Sequence, residues 1–178
     1  MFYAFGFERI GVVVGDLYFV NPDPEEGQEG AEQGVRLELR RIERGGLPGS
    51  VYSAAPIAIG LPLWRADLLE SVDRPGTLDR AHHHPRFDGW EPGPRRFVEA
   101  MTADPLAWVG GRLAALDDLL AEAGVPAGDP APSDAAPLAA AVPEILAAAN
   151  VLLELVRRAA GDRPEPAPDH GGIRIGWL

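Results

Sequence analysis

Trp64-Arg65-Ala66-Asp67-Leu68-Leu69-Glu70-Ser71-Val72-Asp73-Arg74-Pro75-Gly76-Thr77-Leu78-Asp79-Arg80-Ala81-His82-His83-His84-Pro85 decides how this chain folds. Its first nine residues admit two structures. Trp64, Leu68 and Val72 recur at helical spacing, whereas Ile57, Ile59, Leu61 and Leu63 immediately upstream alternate as in a strand. The strand is preferred, because Asp73-Arg74-Pro75-Gly76 is a strong turn signal and Thr77 to His84, stopped by Pro85, then forms the returning strand.

Parity follows from that hairpin. A four-residue loop sets Asp67 opposite His82 and Arg65 opposite His84; a two-residue loop sets Asp67 opposite His84. Either way Arg65, Asp67, Arg80, His82 and His84 share one face, with cross-strand neighbours about 5 Å apart. Trp64, Ala66, Leu68, Ala81 and His83 face the opposite way, toward the core, where His83 is expected to be packed and hydrogen-bonded. An odd-length loop would scatter the set.

The remainder of the N-terminal half also reads as sheet. Residues 7–21 are β-branched and aromatic, with Gly15-Asp16 as a hairpin turn or, alternatively, one long kinked strand. Pro, Gly and acids at 22–34 read as a solvated loop. Val35, Leu37 and Leu39 alternate with Arg36, Glu38 and Arg40, the pattern of a half-buried strand. Arg40 to Arg44 reads as its solvated end. Gly45 to Ser50 is a turn; with no lysine and no following helix start, it is not a phosphate-cradling loop.

After Pro85 the pattern changes. Residues 85–103 read as loop plus a short helix near 95–102. Asp104-Pro105 is an N-cap followed by proline at the first helical position. Leu106, Val109, Leu113, Leu116 and Leu120 make one apolar stripe that Gly124 ends. A second stripe, Leu138, Val142, Ile145, Ala149, Leu152 and Val156, starts near Pro137 and stops at Gly161, with Pro143 expected to kink it or split off its first turn. Residues 162–172 read as linker, and Ile173, Ile175 and Trp177 as a last edge strand.

The expected fold is therefore α+β. One domain, 1–178, holds an antiparallel sheet of five to seven strands from residues 3–84 plus the C-terminal segment. The helical hairpin of 104–124 and 137–160 covers one face.

Composition narrows the chemistry. The chain has no cysteine and no lysine, so thiolate sites, disulfides, Schiff bases and P-loop lysines are excluded. A net charge of −11 disfavours nucleic acid and anionic membranes as partners. The first twenty residues carry Glu8, Arg9 and Asp16, unlike a signal peptide, and no stretch of about eighteen uncharged apolar residues occurs; the expected location is the cytoplasm.

Three readings of the Arg/His/Asp face stand side by side. In the first, Arg65 and Arg80 clamp an anionic small molecule or phosphoester, and His82 or His84, oriented by Asp67, acts as general acid or base for its hydrolysis. In the second, His82, His84 and Asp67 form a two-histidine, one-carboxylate site for a divalent metal cofactor. The third is structural: cross-strand ion pairs on a non-enzymatic interaction protein, a homodimer through the alanine-rich second helix. Trp90 is a candidate pocket wall. Trp64, Trp108 and Trp177 read as core anchors, Asp88 and Glu91 as turn residues, Asp117-Asp118 as a polar helix face and His170 as a linker residue.

Overall fold

The computed structural model describes residues 1–20 and 30–159. It is an α+β fold. Five antiparallel strands lie in chain order: β1 (Phe2–Gly6), β2 (Ile10–Val20), β3 (Ala31–Arg44), β4 (Ile57–Ser71) and β5 (His82–His84). A separate two-stranded ribbon, β6 (Phe87–Asp88) and β7 (Glu91–Pro92), follows. Then come the helices α1 (Glu99–Ala103), α2 (Pro105–Ala114) and α3 (Leu116–Glu122), a 3-10 turn at Ala131–Asp134, and α4 (Ala135–Ala159).

One sheet face is apolar. Val12, Val14, Val35, Leu37, Leu39, Trp64, Ala66 and Leu68 are all fully buried there, in one core with Val109, Leu113, Leu138, Ile145 and Leu152 of the helices. A fully buried aliphatic side chain of this size contributes about 1.5–3 kcal/mol over an exposed one, so this layer carries the fold. Ala131–Ala159 is long and apolar enough by composition to cross a bilayer, but its stripe at Leu138, Ile145, Leu152 and Val156 is buried and α4 packs on β2 and β3. It is accounted for as a core helix.

The opposite face carries Arg36, Glu38 and Arg40 of β3, Arg65 and Asp67 of β4, and His82 and His84 of β5. It is not open to solvent. The segment after β5 folds back over it: Phe87 lies 5.7 Å from the Arg65 guanidinium, Phe97 5.5 Å from His82, and Trp90 5.4 Å from Arg40. Backbone bonds between His83 and Arg96 tie that segment to the edge strand.

Several expectations are corrected. No turn forms at Gly15-Asp16: β2 runs unbroken, with Gly15 paired to Phe2 and to Arg36, and the β1–β2 turn falls at Phe7–Arg9. That turn is pinned from afar. Asp134 accepts hydrogen bonds from the backbone N–H groups of Glu8, Arg9 and Ile10 at 3.3, 2.7 and 3.0 Å. Strand β3 begins at Ala31, not after residue 34. Gly34 lies inside it because the sheet leaves no room for a side chain: a Cβ there would sit 2.0 Å from the Leu68 carbonyl oxygen.

The returning strand is regular only at His82–His84, although Arg80 N–H still reaches the Leu69 carbonyl at 3.0 Å. Ahead of it, Leu78 takes a left-handed conformation (φ 47°) and Asp79 binds back to Ser71. Arg96 is held by His83, so the short helix starts at Glu99 instead of 95. Asp104 caps α2 as expected, accepting from Ala107 N–H at 3.0 Å. The long helix then breaks at Ala115 (φ −101°, ψ 56°), and α3 restarts with Asp117 and Asp118 in its first turn, where acids favour a helix N-terminus. Gly124 ends it with φ 78°. Pro143 does not split the second helix, which runs from Ala135 to Ala159. The expected helix stop at Gly161, the linker with His170, and the edge strand with Trp177 lie outside the described residues.

Candidate functional site

Strand pairing places Asp67 opposite His82, Ala66 opposite His83 and Arg65 opposite His84. This is the register of the four-residue loop. His82 and His84 therefore point to the polar face with Asp67, and their ring centroids lie 5.2 Å apart. All three residues are buried, His82 and Asp67 to 1% exposure.

The backbone fixes both rings. His82 Nδ1 lies 2.8 Å from the Arg80 carbonyl oxygen, and His84 Nδ1 lies 2.6 Å from that of Gly93. A carbonyl only accepts, so each Nδ1 carries the proton and each Nε2 is left to face inward. The two Nε2 atoms converge on one oxygen, Asp67 Oδ2, at 3.4 and 3.6 Å. The three ligand atoms all fall within 4.8 Å of one another.

Two guanidinium groups complete the cluster. Arg36, opposite Asp67 on β3, donates from Nε to Oδ1 at 2.7 Å and from Nη2 to Oδ2 at 3.4 Å. Arg65 Nη2 donates to His84 Nε2 at 2.9 Å. Its Nε lies 3.0 Å from Asp67 Oδ2, but the N–H does not point at that oxygen, and this buried atom has no hydrogen-bond partner among the described residues. Burial pushes the Asp67 carboxyl up, but the charges of Arg36 foremost and of Arg65 pull it down, and the group stays well below its ordinary 3.8. Asp67 is a carboxylate at any physiological pH.

Of the five residues expected on this face, four meet: Asp67, His82, His84 and Arg65. Arg80 turns instead toward Ser71, donating to its hydroxyl at 3.3 Å, with Asp79 3.7 Å away. His83 is buried on the core face, as expected, in tilted and edge contacts with Trp64 and Trp108. Burial lowers its pKa to about 4. The expected hydrogen bond is missing at Nδ1, which has no partner. Trp90 is 60% exposed against Arg40, and Asp88 and Glu91 pair across the β6–β7 ribbon.

Sequence reasoning missed Arg36, the main partner of Asp67. The signal was present in the Val35–Arg40 alternation, but not which strand would lie beside it. Arg40 is likewise no solvated end; it binds Glu38 within the face. Glu32 is also buried, with Oε2 unpartnered, and burial raises its pKa against the fields of Arg95, Arg80 and His82.

No family model, curated protein or solved structure matches this chain. The reading of the site rests on its own chemistry.

Proposed function

We propose that this protein binds a divalent transition-metal ion through His82 Nε2, His84 Nε2 and Asp67 Oδ2. The supporting observation is the pair of Nε2–Oδ2 separations, 3.4 and 3.6 Å. Ligands held about 2.0–2.2 Å from one tetrahedral ion lie roughly 3.4 Å apart, so each histidine nitrogen already stands at such a distance from the carboxylate oxygen. The Nδ1–H bonds to Arg80 and Gly93 are the outer partners that fix ligating imidazoles. Two nitrogens and one carboxylate suit zinc, iron(II) or manganese, and leave positions for water or a substrate oxygen.

The test is equilibrium dialysis with metal analysis, alongside thermal unfolding, on the wild type and on His82→Ala/His84→Ala. The wild type should retain close to one equivalent of zinc, manganese or cobalt. At a free concentration about a hundred times Kd, it should gain about 2.7 kcal/mol of stability that the double variant lacks. A wild type that retains no metal sinks the proposal.

A metal-free acid–base site for a phosphoester is the competing proposal. One observation favours it: Arg65 Nη2 already sits on the His84 Nε2 lone pair, closing the network without an ion. Stabilisation by phosphate compounds in the presence of chelator, with none by metals, would select this reading.

A further inference from the structure

Arg65 is the feature that a metal site leaves unexplained. It stands where an ion would act. Its Nη2 occupies the His84 Nε2 lone pair at 2.9 Å, and its Nε lies 3.0 Å from the Asp67 oxygen on which both histidines converge. An ion held by His84 takes the single Nε2 lone pair, and with it the hydrogen bond that Arg65 Nη2 makes there. Arg65 then keeps its charge in a side chain only 11% exposed, with an Nε that even now has no hydrogen-bond partner among the described residues. A buried guanidinium stripped of an acceptor is costly.

Among the described residues, the two carboxylates whose fields reach Arg65 are already engaged. Arg36 is already committed to both oxygens of Asp67, and Glu38 is bound by Arg40 through Nε and Nη2 at 2.8 and 2.6 Å. Two guanidinia and a divalent ion set against one carboxylate leave a surplus of positive charge. The Phe87 ring lies against the Arg65 guanidinium at 5.7 Å, a contact that keeps this cation beside the site when the His84 acceptor is withdrawn.

We infer that the metal's further ligand is an oxyanion, a carboxylate or phosphate group, which binds the ion through one oxygen and the Nε/Nη2 edge of Arg65 through two. This rests on the metal reading above. The guanidinium fork matches a planar pair of oxygens, and its charge answers theirs. Arg65 thus trades His84 for the ligand. It is a binding residue for the anion and a competitor of the ion, so its removal should act oppositely on the two.

Cobalt(II) serves as the probe metal, with its visible absorption reporting occupancy, and inorganic phosphate and acetate are titrated separately. The comparison is wild type against Arg65→Met and Arg65→Lys, each checked for folding by circular dichroism. Cobalt-loaded wild type should bind phosphate or acetate at least about tenfold more tightly than the metal-free protein, and whichever binds identifies the source. Arg65→Met should lose about tenfold or more of that affinity while binding cobalt as well as wild type or better; Arg65→Lys should fall between. Cobalt bound by wild type and Arg65→Met alike, with neither anion bound or with equal anion affinity, would overturn the inference and leave the metal site standing. Failure of the wild type to bind cobalt would remove both.

Discussion

Asp67 and Glu70 are three residues apart on β4, point to opposite faces of one sheet, and are equally lost to solvent, yet they are different objects. Glu70 is met only by donors. Arg157 gives it three contacts of 2.9–3.3 Å, Gly76 N–H lies 2.7 Å away and Gln33 Nε2 lies 3.3 Å away. That is a finished structural pair, tying the end of α4 to the sheet and to the β4–β5 turn. Asp67 has one finished partner, Arg36. Its other side meets two imidazole nitrogens whose protons are held elsewhere, and an arginine whose N–H points past it. A saturated carboxylate holds a fold together; an unsaturated one beside two nitrogen donors can receive something.

The largest effect expected from this contrast is on metal affinity. Asp67→Asn should cost at least about a hundredfold in zinc or cobalt binding, because it removes a ligand outright, where loss of an outer partner alone costs 10–100-fold. Glu70→Gln, equally buried and nearby, should change metal affinity by less than about threefold, since its fully donated network lies on the other face. Equilibrium dialysis of both variants checks this. Equal losses would mean that the two acids act only through stability.

On stability the order should reverse with respect to role. Arg157→Met leaves Glu70, at 1% side-chain exposure, charged and short of its main partner, and should cost about 3–5 kcal/mol by urea unfolding. Glu70→Gln leaves Arg157, still 29% exposed, free to reach water, and should cost only about 1–3 kcal/mol. If Glu70→Gln proves the more damaging, the acid is not the desolvated partner and the contrast with Asp67 fails.

How much of this was legible in the chain follows the range of the interactions. The face shared by Asp67, His82, His84 and Arg65 could be read, because strand parity and the even loop around Pro75-Gly76 are local properties. Arg36 could be seen as the polar side of a strand but not as the partner of Asp67, since no short pattern says which strand lies alongside. Glu32 and Gln33 are hidden because they stand within the Pro, Gly and acid run of 22–34, which reads as loop. Gly34, which resembles loop punctuation, is there for the close approach of Leu68. Asp134 sits in the Ala/Pro stretch between the two helical stripes, and only the fold brings the β1–β2 turn to it. Asp104 as an N-cap was readable because capping spans three residues.

The smallest effect lies in the acid limb of stability. Burial pushes the Glu70 carboxyl up, but the Arg157 hydrogen bonds, Gly76 N–H, the Arg157 charge and Gln33 outweigh it and hold the group below its ordinary 4.5. The unfolded chain therefore takes up this proton at a higher pH than the native one. The pair's contribution is complete above the unfolded value of 4.5 and is lost as pH falls through the lower folded value. Urea midpoints measured from pH 6 to pH 3 should thus fall less steeply for Glu70→Gln than for wild type, with the curves converging at the acid end. A slope remains in the variant, because Asp79, bound by Ser71 and Thr77, and Asp129, bound by Arg41, are also held low. The difference between the two curves isolates Glu70. A difference of zero would mean that burial cancels Arg157, and that this carboxylate is no better satisfied than Asp67.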